Sequence, residues 1–385
     1  MGNKAIPASF VEMAREIFAS EDFIPLHAPK FDKDDKMLVV DAIDSTFVSS
    51  VGEYVDKFEN QLAEVTGAKY AVATSSGTAA LHVGLTLLNV RAGDEVITQT
   101  LTFVATCNAI RYCGAEPVFV DIEAATLGMS PERLQEFLEQ TVELRDDGYC
   151  WNKTTGNRIS ACLPVNNLGH PARVKEIARI CAPWNIKVVE DAAESLGSLR
   201  ASQHTGLAGN LGVLSFNGNK IVTTGGGGAV LTDDEELAVL AKHRTTTAKL
   251  SHPWLFLHDE VGFNYRLPNL NAALGCAQLK HLDGFIEAKR ALAHTYIEWG
   301  VTSGLEFFKE PTDTRSNYWL NALLLENRKA RDQFLEFTNT NGVMTRPMWT
   351  PMHTLPMYQH CSRTELPVSE NVENRLVCVP SSVPK

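Results

Sequence analysis

From about residue 68 the chain alternates short apolar runs with segments of helical periodicity. Tyr70–Thr74 predicts a strand and Thr78–Leu88 a helix. Glu95–Thr98 predicts a second strand, Val104–Tyr112 a helix, and Pro117–Asp121 a third strand. A helix follows from Pro131, with Ser130 as its cap. Ile159–Val165 and Lys187–Asp191 predict further strands, and a helix from Val174 lies between them. Continuous apolar strands alternating with helices predict an α/β fold, its sheet mostly parallel and covered on both faces. Residues 144–158 are polar and read as a hairpin or loop inserted into this unit. Beyond about residue 280 the pattern changes. A long helix, Leu282–Trp299, precedes an irregular stretch, a strand at Tyr318–Leu323 and a helix at Ala330–Asn341. The expected division is an N-terminal arm (1–40), a large domain (41–281) and a smaller α+β domain (282–385).

In parallel sheets of this kind, ligands bind beyond the C-terminal ends of the strands. Three polar clusters follow apolar strands here: Ser75-Ser76-Gly77-Thr78, Asp191-Ala192-Ala193-Glu194 and Ser215 to Lys220. The first joins a strand to a helix, where free N–H groups and the helix dipole suit a phosphate. The same residues also read as an ordinary capped helix start. Asp191 ends an apolar strand, so its carboxylate needs a partner: a cationic ligand atom, or the next helix's N–H groups. Lys220 stands between a strand and the run Gly225-Gly226-Gly227-Gly228. Its amine can form an imine with an aldehyde if the surroundings favour the neutral form. A phosphate contact is the alternative, although no GxxxxGK[ST] loop is present. In Gly262-Phe263-Asn264-Tyr265-Arg266-Leu267-Pro268-Asn269, Arg266 can bind a carboxylate or phosphate, or the asparagines can simply hold a turn.

Composition narrows these choices. The 385 residues are 44% hydrophobic and 21% charged, as in ordinary globular proteins. A net charge of -11 argues against a nucleic-acid surface, which needs concentrated Lys and Arg. The eight cysteines form no CxxC pair and no zinc spacing with histidine, so the expectation is reduced, buried thiols, no metal and a cytoplasmic setting. The N-terminus has no signal-peptide core, and no run of about 18 apolar residues predicts a membrane span.

Taken in order, these segments resemble the sugar-nucleotide aminotransferases of the DegT/DnrJ/StrS family, which have the type I fold of enzymes dependent on pyridoxal 5'-phosphate (PLP). The resemblance runs from about Phe23 to His353. Its motifs are Phe47–Gly52, Ser76–Leu81, Leu101–Thr106, Glu190–Glu194, Ser215–Lys220 and Gly262–Asn269. It implies that Lys220 is the Schiff-base lysine and proton shuttle, and that Asp191 partners the pyridine nitrogen. It places Glu194 near the cofactor's 3'-oxygen and Phe103 against its ring. Gly77, Thr78, Ala79 and Ser215 form the phosphate cup. Asn264 reaches the phosphate from a neighbouring subunit, which implies a homodimer with shared sites. Some relatives carry histidine in place of the lysine and are dehydratases; retained lysine favours transamination.

Within the family the chain is similar to the subgroup acting on UDP-4-keto-6-deoxy-N-acetylhexosamines, on routes to legionaminic acid or bacillosamine in bacterial surface glycans. Ser215–Lys220, Ala192–Ser198 and Arg315–Trp319 carry that likeness. The implied reaction moves the amino group of L-glutamate to C4 of the UDP-linked sugar and releases 2-oxoglutarate. GDP- or dTDP-linked keto sugars, or sugar dehydration, are the alternatives. Candidate substrate contacts are Arg266, Asn317, Tyr318 and His353. The subgroup commonly has histidine at the second position of Val165-Asn166-Asn167-Leu168-Gly169; Asn166 stands there and cannot titrate.

Overall fold

The computed structural model describes residues 5–384. The strands of the first unit are β1 (Tyr70–Thr74), β2 (Glu95–Gln99), β3 (Glu116–Val120), β4 (Val142–Leu144), β5 (Cys150–Asn152), β6 (Arg158–Leu163), β7 (Lys187–Asp191), the short β8 (Leu199–Arg200) and β9 (Gln203–His204), β10 (Leu211–Ser215) and β11 (Gly228–Thr232). Seven of them form the path β1-β11-β10-β7-β6-β2-β3, and β5 and β4 extend it from β6 to make nine strands. The segment from β3 through β2, β6 and β7 to β10 is parallel, whereas β11 is antiparallel to both β1 and β10. Central strands of such a sheet are covered on both faces, and every residue of the parallel β2 and of the antiparallel β11 is buried. The polar stretch 144–158 holds the turn from β4 to β5, β5 itself and the turn into β6, and the three-residue β4 leaves a short sheet edge.

The later strands are β12 (Glu306–Phe307), β13 (Thr314–Arg315), β14 (Asn321–Leu324), β15 (Arg346–Pro347) and β16 (Leu376–Val379). Four of these make an antiparallel sheet in the order β12-β14-β16-β15, while β13 pairs with β8 beside the main sheet. The first helix, Ala5–Phe18, packs into this C-terminal layer. Phe10 and Phe18 share an apolar cluster with Tyr296, Phe307, Phe334 and Val377. A polar tie joins the two layers: buried Asp121, just past β3, accepts bonds from the Val368 and Ser369 amides, each at 2.9 Å, and caps the helix Pro367–Arg375.

Two expected elements differ. The strand foreseen at Tyr318–Leu323 begins only at Asn321, because Tyr318 takes a left-handed turn (φ 46°) stabilised by the Asn317 side chain. The strand foreseen to Val165 ends at Leu163, and Val165 keeps only a single bridge to Asp191. All eight cysteines are free and seven are buried. Structure does gather Glu116, His360 and Cys361 within ligand distance, away from the cavity described below. Arg111 already ion-pairs Glu116, so that cluster has a counter-charge without a metal. Among the described residues no helix is long and apolar enough to cross a membrane.

Candidate active site

The three polar clusters of the sequence converge. Together they line a cavity of about 310 Å³ at the C-terminal ends of β7 and β10. Gly77, Thr78, Phe103, Asp191, Glu194, Ser215 and Lys220 all face it.

One end is the N-terminus of the helix Gly77–Leu87. Ser76 caps it, its hydroxyl accepting from the Ala79 amide at 3.1 Å. The intrahelical ladder begins with Ala80 N–H to Ser76 O, so the Gly77 and Thr78 amides precede it. Gly77 is required by contact: a Cβ there would lie 2.7 Å from Cβ of Ser215. Gly228 likewise lets β11 pass against the Ser76 backbone, which a Cβ would approach to 2.5 Å. These close approaches bring the helix N-terminus and the Ser215 hydroxyl to one side of the cavity. Ala79 is the exception in the expected set: it is buried, and its amide is committed to the cap.

Asp191 ends β7, where strand alternation turns it toward the cavity. Its two oxygens are oriented by the Thr106 hydroxyl at 2.8 Å and the Ala193 amide at 3.1 Å. Burial pushes its pKa up, opposed by those two donors and by the charge of Lys220. Glu190, the preceding residue, points to the opposite face and is held by Asn166 and Ala208. Asn166 is therefore a structural bridge: it also donates its amide to Asp191 O and accepts from Ala172 N–H.

Lys220 closes a turn after β10, its amide bonded to Asn217 O. The side chain retains 12% of its surface, and Nζ lies 3.7 Å from Oε1 of Glu194. Burial lowers its pKa from the usual lysine value, while Glu194 and Asp191 pull it back up. Glu194 is in turn pinned by the Leu168 amide at 2.7 Å, and burial raises its pKa. Phe103 is 52% exposed at the rim and meets Trp349 edge-on, 5.5 Å between centroids.

Asn264, expected at a neighbour's phosphate, and the four expected substrate contacts do not line this cavity. Asn264 is exposed and outside the cavity, and Arg266 donates to its side chain at 3.2 Å. Asn317 is fully buried and spends its side chain on the Glu194 and Leu196 carbonyls and the Trp319 amide. Tyr318 is buried, its hydroxyl accepting from the Glu310 amide. His353 is mostly buried against the Thr100 hydroxyl at 2.8 Å, and burial lowers its pKa. Conversely, Thr102, Thr106, Trp319 and Trp349 line the cavity without having been singled out. Thr106 and Trp319 lay inside quoted motifs; for Trp349 the sequence holds no local signal.

A buried amine, a donor-oriented carboxylate across from it and a helix N-terminus fit the aldehyde, ring nitrogen and phosphate of PLP. The fold agrees. An aminotransferase, TlmJ, from Streptoalloteichus hindustanus superposes with a TM-score of 0.84 over 93% of each chain, at 27% identity. Fold and cavity define a PLP-dependent aminotransferase of fold type I. The family model for the DegT/DnrJ/EryC1/StrS aminotransferases matches residues 29–384, and the chain belongs to that family. Among its relatives, EpsN of Bacillus subtilis, named as a pyridoxal phosphate-dependent aminotransferase, is 37% identical over 93% of this chain and 90% of its own. A GDP-perosamine synthase of Escherichia coli O157:H7 is 35% identical over 93% of both chains.

Proposed function

We propose that Lys220 binds the PLP aldehyde, and that the enzyme carries the amino group of L-glutamate to C4 of a nucleotide-linked 4-keto-6-deoxy sugar. The observation that carries this reading is the placement of the Lys220 amine against Glu194 and Asp191 in one cavity that ends at a helix N-terminus. When bound, PLP supplies an electron sink for the carbon bearing the nitrogen. This chain's residues do the rest. Asp191, fixed by Thr106 and Ala193, would hold the ring nitrogen and keep it protonated. The Lys220 amine would move the proton at the reacting carbon. Glu194 holds that amine in reach. The Gly77 and Thr78 amides and the Ser215 hydroxyl receive the phosphate. Phe103, at the rim of the cavity, would cover the ring. In a homodimer, Asn264, which is exposed and outside its own cavity, serves the neighbour's phosphate.

For the nucleotide, the GDP-perosamine synthase relative supports a GDP-linked acceptor, and that reading stands first. A UDP-linked N-acetylhexosamine is the second reading, favoured by Ser215–Lys220 and Arg315–Trp319. The test is a panel of GDP-, UDP- and dTDP-linked 4-keto-6-deoxy sugars with glutamate, reading 2-oxoglutarate and the C4 amine. Stoichiometric 2-oxoglutarate with the GDP-linked amine is expected. Turnover confined to the UDP-linked acceptor replaces the first reading by the second, and release of ammonia with a deoxygenated sugar would refute transamination.

A further inference from the structure

Two contacts that no part of the reaction scheme requires converge on one side chain. The Lys220 amine sits 3.9 Å from the centroid of the Trp319 ring. The indole N–H of Trp319 donates at 2.7 Å to the carbonyl of Asn219, the residue before the lysine. Trp319 is almost fully buried, 2% exposed, in an apolar cluster with Leu168, Leu320 and Met348. Its backbone is locked by the Asn317 side chain, which bonds the loop carrying Glu194 as well. One ring is thus fixed against the lysine's charge, against the peptide that aims it, and against the loop that holds its counter-ion. A ring face attracts an ammonium group through its quadrupole, most strongly where water is excluded.

We propose that Trp319 is a positioning residue for Lys220: its face cradles the amine whenever the lysine is not joined to the cofactor, and its N–H fixes the turn from which the lysine extends. A transaminating lysine is free for half of each cycle, and a four-carbon chain with loose torsions would otherwise sample many rotamers. Trp319 and Glu194 confine it between a ring and a carboxylate. The inference rests on the reading of Lys220 as the cofactor-binding lysine.

The ring favours the charged amine, so its removal makes the amine lose its proton at lower pH. The charged or titratable groups around Lys220 are Asp191 at the end of β7, Glu194 from the loop after it and His27 from the N-terminal segment. All three are retained in the test. Apoprotein is treated with acetic anhydride across a pH series, and acetylation of the Lys220 peptide is followed by mass spectrometry. The exposed Lys175 serves as internal reference. Trp319→Leu and Trp319→Met are compared with Trp319→Phe, which keeps a ring face but loses the N–H. We expect the midpoint for Lys220 to move acid by on the order of one pH unit in the Leu or Met variant, whichever folds, with Lys175 unmoved. The Phe variant should keep its midpoint close to the parent's. Superimposable Lys220 profiles in parent and aliphatic variants would overturn the proposal, as would equal shifts at Lys175. In a separate arm PLP is added to the parent protein before acetylation. Failure of PLP to protect Lys220 sinks the cofactor assignment, while the midpoint shift still decides the role of the ring.

Discussion

Lys220 is a base held where its charged form is disfavoured by burial and favoured by two neighbouring carboxylates. That balance has a sign. Burial lowers the amine's pKa, and Glu194 opposes the shift, so Glu194→Gln should lower it further. Capture of PLP needs the neutral amine. Stopped-flow binding should therefore rise with pH in both proteins, with the midpoint at lower pH in the variant. A midpoint that moves to higher pH would contradict the assigned role of Glu194. At Asp191, substitution by Asn removes the charge but keeps the shape. Loss of one charged hydrogen bond to the ring nitrogen corresponds to about 1.5–3 kcal/mol, so turnover should fall roughly 10- to 150-fold, read in a single-turnover assay with glutamate. These two residues were legible in the sequence because each is a charge at the end of an apolar strand or beside a glycine run. Thr106 and Trp349 were not, since a hydroxyl in a helix and an indole far along the chain acquire meaning only from what they touch.

At the scale of elements, the helix N-terminus works because Gly77 and Ser215 nearly collide. Gly77→Ala forces a Cβ to within 2.7 Å of Ser215. Equilibrium binding should show weaker PLP affinity, with little change in Tm if the helix simply shifts. The long helix Leu282–Ser303 carries a different tension. Lys289 is fully buried, its amine donates to the Ser381 carbonyl, and burial lowers its pKa to about 7. A base whose folded pKa is depressed binds fewer protons folded than unfolded, so stability rises with pH between about 7 and the ordinary lysine value near 10.5. The slope reaches at most about 1.4 kcal/mol per pH unit. Lys289→Met should flatten the difference in unfolding free energy across that window, as measured by urea titration at pH 7 and pH 9.5. Periodicity predicted the alternating strands and helices from β1 to β7 and the long helix from Leu282, because buried strands and amphipathic helices write their period into the chain; the short strands β8, β9, β12, β13 and β15 carry too few residues to show one. It failed at Tyr318, where a left-handed turn is set by the Asn317 side chain reaching distant backbone.

For the whole molecule, the alternation of strands and helices predicted the α/β class, and the order of motifs predicted the family. Strand order was not legible, because pairing between β7 and β10, or β1 and β11, is settled by packing over long separations. Nor was the placement of the N-terminal helix on the C-terminal sheet. Asn264 stands outside its own cavity, near a loop whose Trp254, Phe256 and Val261 are at least three-quarters exposed. If two copies share their sites as proposed, Lys220→Ala and Asn264→Ala protomers, each inactive alone, should regain activity when mixed and allowed to exchange. A hybrid then holds one site with both lesions and one with neither. Mixtures that stay inactive despite exchange would show that each chain supplies its own site in full.

The most direct measurement is borohydride reduction of the PLP-loaded protein followed by peptide mapping. A phosphopyridoxyl group on the peptide containing Lys220 is predicted, with none in Lys220→Ala. A label on another lysine, or an unlabelled Lys220 in a protein that has bound PLP, would contradict it.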